Sequence, residues 1–154
     1  MTVEAGYGVD VRKADALSPA ELYRLLKLRV DVFVVEQNCP YPELDGKDFG
    51  ALHLRLLGDG ELLAAARIFA PSQEEPEARI GRVVVSPARR GARLGDAVMR
   101  EAIALCERSF AGIAIAISAQ SHLAGFYASH GFEIVSGEYL EDGIPHVDMR
   151  RTGR

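Results

Sequence analysis

The sequence predicts an α/β fold, classed as α+β in some schemes, in which a mixed central sheet is flanked by helices. Residues 80–95 run without a break from a strand of β-branched residues, through an arginine-rich turn, into the start of a helix. A second buried strand at 113–119 follows that helix, and two strands joined by a crossover helix are usually parallel neighbours. Apolar segments on both sides of Gly58, Asp59 and Gly60 predict an antiparallel hairpin, which makes the sheet mixed.

The first helix has a well-defined start. Ser18 is suited to the N-cap, Pro19 to the first helical position, and Glu21 completes a capping box. Residues at helical spacing extend the helix to about residue 35. Its apolar stripe comprises Leu22, Leu25, Leu26, Val30 and Phe33.

Arg29 interrupts this apolar stripe. A buried guanidinium needs an anionic partner, and Glu36, two helical turns later on the same side, is the candidate. The alternative is an arginine whose stem packs on the core while its charged head reaches water.

The later elements follow from the same periodicities. Apolar residues recur at helical spacing from 95 to 110, and Pro87 ends the preceding strand because it has no N–H to donate. The remaining assignments are a loop at 37–49, strands at 51–57 and 61–70, a surface connection at 71–77, a short helix at 122–130, and strands around 133–139 and 146–151 joined by residues 141–143.

Length and composition favour a single cytoplasmic domain spanning residues 1–154. The 154 residues are 48% hydrophobic, enough for a full core, and the net charge of −4 argues against a general nucleic-acid binder. The amino terminus lacks a signal-peptide pattern and no apolar run approaches the roughly 20 residues of a membrane span, so no membrane partner is expected. Cys39 and Cys106 have neither metal-ligand nor redox spacing, so we expect reduced thiols and no metal.

The arginine-rich turn is the strongest candidate for a binding site. The first N–H groups of a helix are unpaired, point outward and lie at the positive end of the helix dipole. Together with the guanidinium groups of Arg90 and Arg93 they favour an anion, most naturally a pyrophosphate. Carboxylates concentrate at 36–48 and 138–148, so a basic site could face an acidic one. The alternative is a plain connection between a strand and a helix.

Two motifs in the appropriate order make the chain resemble the GCN5-related N-acetyltransferase (GNAT) family, which uses acetyl coenzyme A. Residues 83–87 followed by 90–95 are similar to the family's pyrophosphate motif, and residues 126–132 resemble its terminal motif. A narrower resemblance, to the ElaA-type subgroup, rests on residues 29–41, 120–123 and 141–146.

The resemblance implies a sheet with a V-shaped splay between two parallel strands, in which the coenzyme lies. It also implies that backbone groups of residues 83–85 contact the pantetheine and the thioester, where an amide would stabilise an oxyanion. Arg93 stands where a glycine is usual, and Gln120 replaces a common asparagine. The implied coenzyme-binding residues are Val83, Val84, Val85, Arg90, Gly91, Ala92, Arg93, Leu94, Gly95, Asp96 and Gln120.

The family's terminal motif implies that Tyr127 is the general acid. A phenol with a pKa of about 10 can protonate a departing thiolate, whose thiol has a pKa of about 8.5. The alternative role of Tyr127 is core packing, since aromatic residues surround it. The attacking amine needs a proton acceptor. Glu36 is the first choice because a carboxylate there could also hold a cationic substrate, and His122 and His146 are the alternatives.

The leading functional hypothesis is transfer of an acetyl group from acetyl coenzyme A to a primary amine, on a small molecule or a peptide. One alternative is a module that binds acyl coenzyme A without turning it over. Another is an acyltransferase like the acyl-homoserine-lactone synthases, which the helix end at 29–36 resembles. The absence of tryptophan and the ordinary helix after Arg90 count against it. The resemblance also implies a homodimer, since GNAT proteins are often dimers.

Overall fold

An eight-stranded mixed sheet forms the centre of the computed structural model, which describes residues 6–153. The strands are β1 (Gly8–Lys13), β2 (Leu52–Gly58), β3 (Glu61–Phe69), β4 (Ala78–Val85), β5 (Ile115–Gln120), β6 (Glu133–Ile134), β7 (Tyr139–Glu141) and β8 (Ile144–Arg151). Their order is β1-β2-β3-β4-β5-β8-β6, and β7 also pairs with β8. Residues 1–5, which carry most of the amino-terminal pattern discussed above, lie outside the described residues. No helix between residues 6 and 153 has the length and apolar character needed to cross a membrane.

Helices α1 (Pro19–Val30) and α2 (Leu94–Ser109) pack on opposite faces of this sheet. Successive residues of β3 show this, because Ala64 and Ala66 belong to the core under α2 whereas Ala65 packs with α1. The other helical segments are α3 (Ala124–Ala128), the π-helical segment Asp31–Glu36, and 3-10 turns at Ala14–Ala16, Asp48–Gly50, Pro87–Arg89 and Ser121–Leu123.

The predicted start of α1 is confirmed. The Ser18 hydroxyl accepts a hydrogen bond from the N–H of Glu21 at 3.1 Å, and the Glu21 carboxylate accepts one from the N–H of Ser18 at 2.8 Å. Helical structure ends at Glu36, close to the predicted end at about residue 35, but Asp31–Glu36 has π geometry. There the N–H of Gln37 donates to the carbonyl of Val32, five residues earlier, at 3.2 Å.

The two predicted strand pairings are present. The β2–β3 hairpin turns through Asp59 (φ +53°) and Gly60 (φ +73°), the left-handed pair that suits a tight hairpin. Strands β4 and β5 are parallel neighbours, but they pair only at Ala78–Ile115 and Arg79–Ala116. Beyond these pairs the two strands separate, which produces the V-shaped splay that the resemblance implied.

Two features of the sheet differ from the prediction. The sequence predicts no strand before α1, yet β1 pairs with β2 along its whole length. The single strand predicted around 133–139 is wrong, because it divides into β6 and β7, each paired with β8. Between them the Ser136 hydroxyl accepts the N–H of Asp148 at 2.8 Å, so a side chain replaces the backbone partner there.

Candidate active site

A cavity of about 820 Å³ occupies the gap between β4 and β5. The second half of β4 lines one side, and β5 and β8 contribute to the other. The predicted site residues that line it are Val83, Val84, Val85, Arg90, Gln120, Tyr127 and His146. Glu36 and His122 do not line it.

The turn after β4 presents a row of free backbone donors. Gly91 (φ +91°) and Arg93 (φ +57°) both have left-handed backbone conformations. This conformation costs a residue with a side chain about 1–2 kcal/mol, which explains why a glycine is usual where Arg93 stands. Within residues 6–153, the N–H groups of residues 91–96 donate to no other residue, as expected at a helix start. The turn therefore suits an anionic group such as a diphosphate.

Several of the predicted coenzyme-binding residues face a second cavity of about 530 Å³. Those that line it are Ala92, Arg93, Leu94 and Asp96, whereas Gly91 and Gly95 line neither cavity. The Asp96 carboxylate lies 2.9 Å from Nε2 of His130 and 3.8 Å from Nη1 of Arg93. Asp96 thus already has partners within the protein, and its contact with a coenzyme stays a prediction.

Two contacts connect the end of the π segment to the walls of the main cavity. Nη2 of Arg90 donates to Oε1 of Glu36 at 2.5 Å, and Nε2 of Gln120 donates to Oε1 of Gln37 at 3.3 Å. The hydrogen bond from Arg90 lowers the pKa of Glu36, so this carboxylate is a weaker proton acceptor than a free glutamate. The expectation that a basic site faces an acidic one is confirmed here.

Tyr127, in α3, packs against aromatic side chains, and its role as general acid stays a prediction. Its ring makes edge-to-face contacts with Phe126 and Phe132, at centroid distances of 5.0 and 6.3 Å. Burial raises the pKa of Tyr127 above its ordinary value, so the phenol stays protonated. The hydroxyl makes no hydrogen bond to any residue between 6 and 153, which leaves its proton unengaged.

His146, on β8, is a buried imidazole whose orientation is fixed. Its Nδ1 lies 2.7 Å from the carbonyl oxygen of Ile144, and a carbonyl only accepts, so Nδ1 carries the hydrogen and Nε2 keeps its lone pair. The ring stacks on Tyr139 with the centroids 6.1 Å apart. Nε2 also lies 3.4 Å from Oε2 of Glu141.

The other two candidate proton acceptors lie elsewhere. His122, in the 3-10 turn Ser121–Leu123, is exposed, and Glu36 is exposed at the mouth of the cavity beside Arg90. The structure therefore brings Tyr127 and His146 to one cavity and separates them from His122.

The predicted pairing of Arg29 with Glu36 is wrong. Arg29 is 1% exposed, and it donates through Nε to Glu43 at 2.6 Å and through Nη1 to Asp48 at 2.8 Å. The π turn before Glu36 adds a residue to the helical repeat, so Glu36 does not follow Arg29 along the same face.

Arg29 belongs to a charge-balanced network that links α1, β3, β4 and the loop at 37–49. Arg67 donates to Asp45 at 2.9 Å and to Asp48 at 3.1 Å, and Arg82 donates to Glu43 at 2.9 Å. This network was not predicted from the sequence, whose only signal for it is the concentration of carboxylates at 36–48. The network, called the arginine–carboxylate cluster below, comprises Arg29, Arg67, Arg82, Glu43, Asp45 and Asp48.

The fold and the cavity define a GNAT acyltransferase. The family described as Acetyltransferase (GNAT) domain matches residues 33–152. The chain belongs to this family.

Within the family the chain is similar to ElaA. It is 44% identical over 137 residues to Protein ElaA of Escherichia coli strain K12, which covers 88% of this chain and 90% of ElaA. The crystal structure of E. coli ElaA has a TM-score of 0.87 at 40% identity, covering 94% of this chain and 99% of that one. The crystal structure of an acyl-CoA N-acyltransferase from Pseudomonas aeruginosa has a TM-score of 0.90 at 44% identity, covering 95% of this chain and 99% of that one.

The fold is also similar to that of a CoA-dependent acyl-homoserine lactone synthase, BjaI. The TM-score is 0.73 at 16% sequence identity, covering 97% of this chain and 84% of that one. At this identity the likeness shows a shared fold alone.

Proposed function

We propose that this protein transfers an acetyl group from acetyl coenzyme A to a primary amine of a small molecule or peptide. The observation that carries the proposal is that three groups line one cavity. They are the protonated phenol of Tyr127, the imidazole of His146 and the part of β4 beyond its pairing with β5. A proton donor, a proton acceptor and backbone donors are what transfer from a thioester to an amine requires.

For the coenzyme we propose the residues that the family resemblance implies. The guanidinium of Arg90 and the N–H groups of residues 91–96 would hold the diphosphate. Residues 83–85 and Gln120 would flank the pantetheine. The coenzyme supplies the thioester carbon and a thiolate leaving group. Acetyl is the proposed acyl group because the matching family is described as an acetyltransferase.

Proton transfer falls to two side chains. An ammonium group has no lone pair, so the amine must first lose a proton, and we assign its acceptance to Nε2 of His146, which lies 3.4 Å from Oε2 of Glu141. As the C–N bond forms and the C–S bond breaks, the departing thiolate takes the proton of the Tyr127 hydroxyl. The nitrogen of the new C–N bond still carries one proton more than an amide, and it gives that proton to the Tyr127 phenolate through solvent. His146 releases its proton to solvent, which closes the cycle.

His146 replaces Glu36, the first choice from the sequence, as the proposed proton acceptor. The lowered pKa of Glu36, caused by its hydrogen bond from Arg90, weakens it as a base. His122 is exposed and lies outside the cavity, so we assign it no proton transfer.

Replacing His146 with glutamine should lower kcat by about 10²-fold or more, because the amine loses its proton acceptor. His122→Gln is the matched control and should keep the parent kcat. Equal activity in parent and His146→Gln, measured by thiol release across the pH range, would reject the assignment.

The function itself is tested by combining binding with turnover. Calorimetry should detect acetyl coenzyme A binding, and a thiol-release assay should find at least one primary amine in a broad panel that is acetylated. Tight binding with no release for any amine would favour the alternative of a module that only binds acyl coenzyme A. Release that requires S-adenosylmethionine would favour a reaction of the acyl-homoserine-lactone type. No measurable affinity for the coenzyme would overturn the proposal.

A single domain over residues 1–154, a homodimer and a cytoplasmic location stay predictions.

A further inference from the structure

Arg82 is an arginine with a left-handed backbone (φ +50°) inside strand β4. The pairing with β3 explains this conformation. Strand β3 advances two residues, from Ala65 to Arg67, while β4 advances three, from Val84 to Gly81. The additional residue forms a β-bulge of the type whose first position is usually glycine. Another residue keeps that conformation only where its surroundings hold it.

Three residues hold the side chain of Arg82. Its Nε donates to Glu43 at 2.9 Å, its Nη2 donates to Asp45 at 3.4 Å, and the ring of Tyr41 lies 5.6 Å from the guanidinium carbon. Glu43 is itself fixed, since its side chain is 1% exposed and also accepts hydrogen bonds from Nε of Arg29 at 2.6 Å and from the Tyr41 hydroxyl. Arg82 is thus tied to a buried carboxylate that two other side chains also hold.

The bulge lies at the point where β4 leaves β5. Arg79 is the last residue of β4 that pairs with β5, and residues 79–85, which include Arg82, line the cavity. A bulge redirects the peptide groups beside it. The backbone conformation of Arg82 therefore sets the direction of the N–H of Val83.

We propose that Arg82 is a positioning residue for thioester activation. Its ion pair with Glu43 holds the bulge and thereby aims the N–H of Val83 at the carbonyl oxygen of the bound thioester. A donor preorganised at that oxygen stabilises the charge that develops on it in the transition state. Arg82 also lines the cavity, but its guanidinium is engaged by Glu43 and Asp45, so the role we assign to it is positioning and not contact with the ligand. The inference rests on the proposed function, which supplies the thioester.

The discriminating variant is Arg82→Gly. Glycine adopts a positive φ without strain but has no guanidinium, so the bulge can form while nothing ties it to Glu43. We expect kcat to fall by about 10- to 100-fold, a little less than for complete loss of an oxyanion donor, with KM for acetyl coenzyme A unchanged. Ethylguanidinium added to the buffer should restore part of kcat by occupying the vacated place beside Glu43. Arg12→Gly, which removes a half-buried arginine on β1 that is paired with Asp10 and Glu21, is the control and should keep the parent kcat.

A binding measurement separates this inference from the proposed function. In the parent protein, an N–H aimed at the thioester lowers the carbonyl stretching frequency of bound acetyl coenzyme A, as infrared difference spectra with a ¹³C label would show. In Arg82→Gly that frequency should return toward the free value at unchanged coenzyme affinity. This readout needs no acceptor amine, so it holds even if no turnover is found.

Three results would overturn the inference. The first is a parent spectrum with no shift of the bound carbonyl. The second is an Arg82→Gly variant with the parent's kcat and carbonyl frequency. The third is a variant whose loss of kcat comes with an equal loss of coenzyme affinity and no rescue by ethylguanidinium, since that pattern indicates a general structural role for the arginine–carboxylate cluster.

Discussion

Tyr127→Phe is expected to lower kcat by about 10²- to 10⁴-fold, the range that a positioned general acid contributes. Phenylalanine keeps the ring that packs against Phe126 and Phe132, so folding stability should be preserved. The hydroxyl has no partner within residues 6–153, so its removal leaves no buried group unpaired. The expected signature is loss of turnover with acetyl coenzyme A affinity unchanged, measured by thiol release and calorimetry.

The pH dependence of the parent enzyme gives a second check on Tyr127. Burial raises its folded pKa, so the acid form persists past the ordinary tyrosine value of about 10. Activity should accordingly not decline on the alkaline side below that pH through loss of this proton. Tyr23→Phe, which alters a tyrosine 68% exposed on α1, should match the parent in both kcat and pH profile. A Tyr127→Phe variant as active as the parent toward every amine that reacts would remove Tyr127 from the mechanism.

Arg29→Met is expected to lower the free energy of unfolding by about 3–5 kcal/mol at pH 7, which is the usual effect of removing one partner from a buried ion pair. Methionine fills much of the volume but carries no charge, so three carboxylates are left facing two arginines. Urea unfolding is the measurement. Lys27→Met is the matched control on the same helix. Its ammonium, paired with Asp31, is 59% exposed, so the change should stay within about 0.5 kcal/mol.

The defect in Arg29→Met should shrink as the pH falls. In the parent, burial raises the pKa of Asp48, but hydrogen bonds from Arg29 and Arg67 outweigh it and hold that pKa below its ordinary value. Asp48 therefore contributes stability above its unfolded pKa of about 3.9. This contribution is lost as the pH drops through the pKa that Asp48 has in the folded protein. Without Arg29 the folded pKa rises, so protonation then favours the folded variant.

A second substitution tests the charge balance directly. Asp48→Asn in the Arg29→Met background removes the surplus charge, so the double variant should be more stable than Arg29→Met alone. If the losses of unfolding free energy caused by the two substitutions simply add, or if they do not vary with pH, Arg29 acts through packing and not through charge.

Local patterns sufficed for much of the fold. The capping box at Ser18, the left-handed turn at Asp59 and Gly60, and the pairing of β4 with β5 all depend on residues close in sequence or on a crossover rule of general validity. Strand β1 was missed because Gly8–Lys13 alternates weakly and its polar residues gain partners only in the folded sheet, where Arg55 reaches Asp10 at 2.8 Å.

The candidate site was predictable in its residue types and not in its pairings. Motif spacing placed Tyr127 and His146 among the candidates, but nothing in the spacing shows that both line one cavity. The partner of Arg29 was misplaced because a switch from α to π geometry has no clear local signal. The partners of Arg82 lie about 40 residues earlier in the chain, and such long-range pairs emerge only once the sheet and the loop are assembled.

The contact between Arg90 and Glu36 affects how ligand affinity should be interpreted. Because the guanidinium already has a carboxylate at 2.5 Å, an arriving diphosphate would exchange one anion for another. The measured affinity would therefore reflect the difference in free energy between two ion pairs. Added salt weakens both pairs, so it should change the coenzyme affinity less than it would if the guanidinium of Arg90 were unpaired.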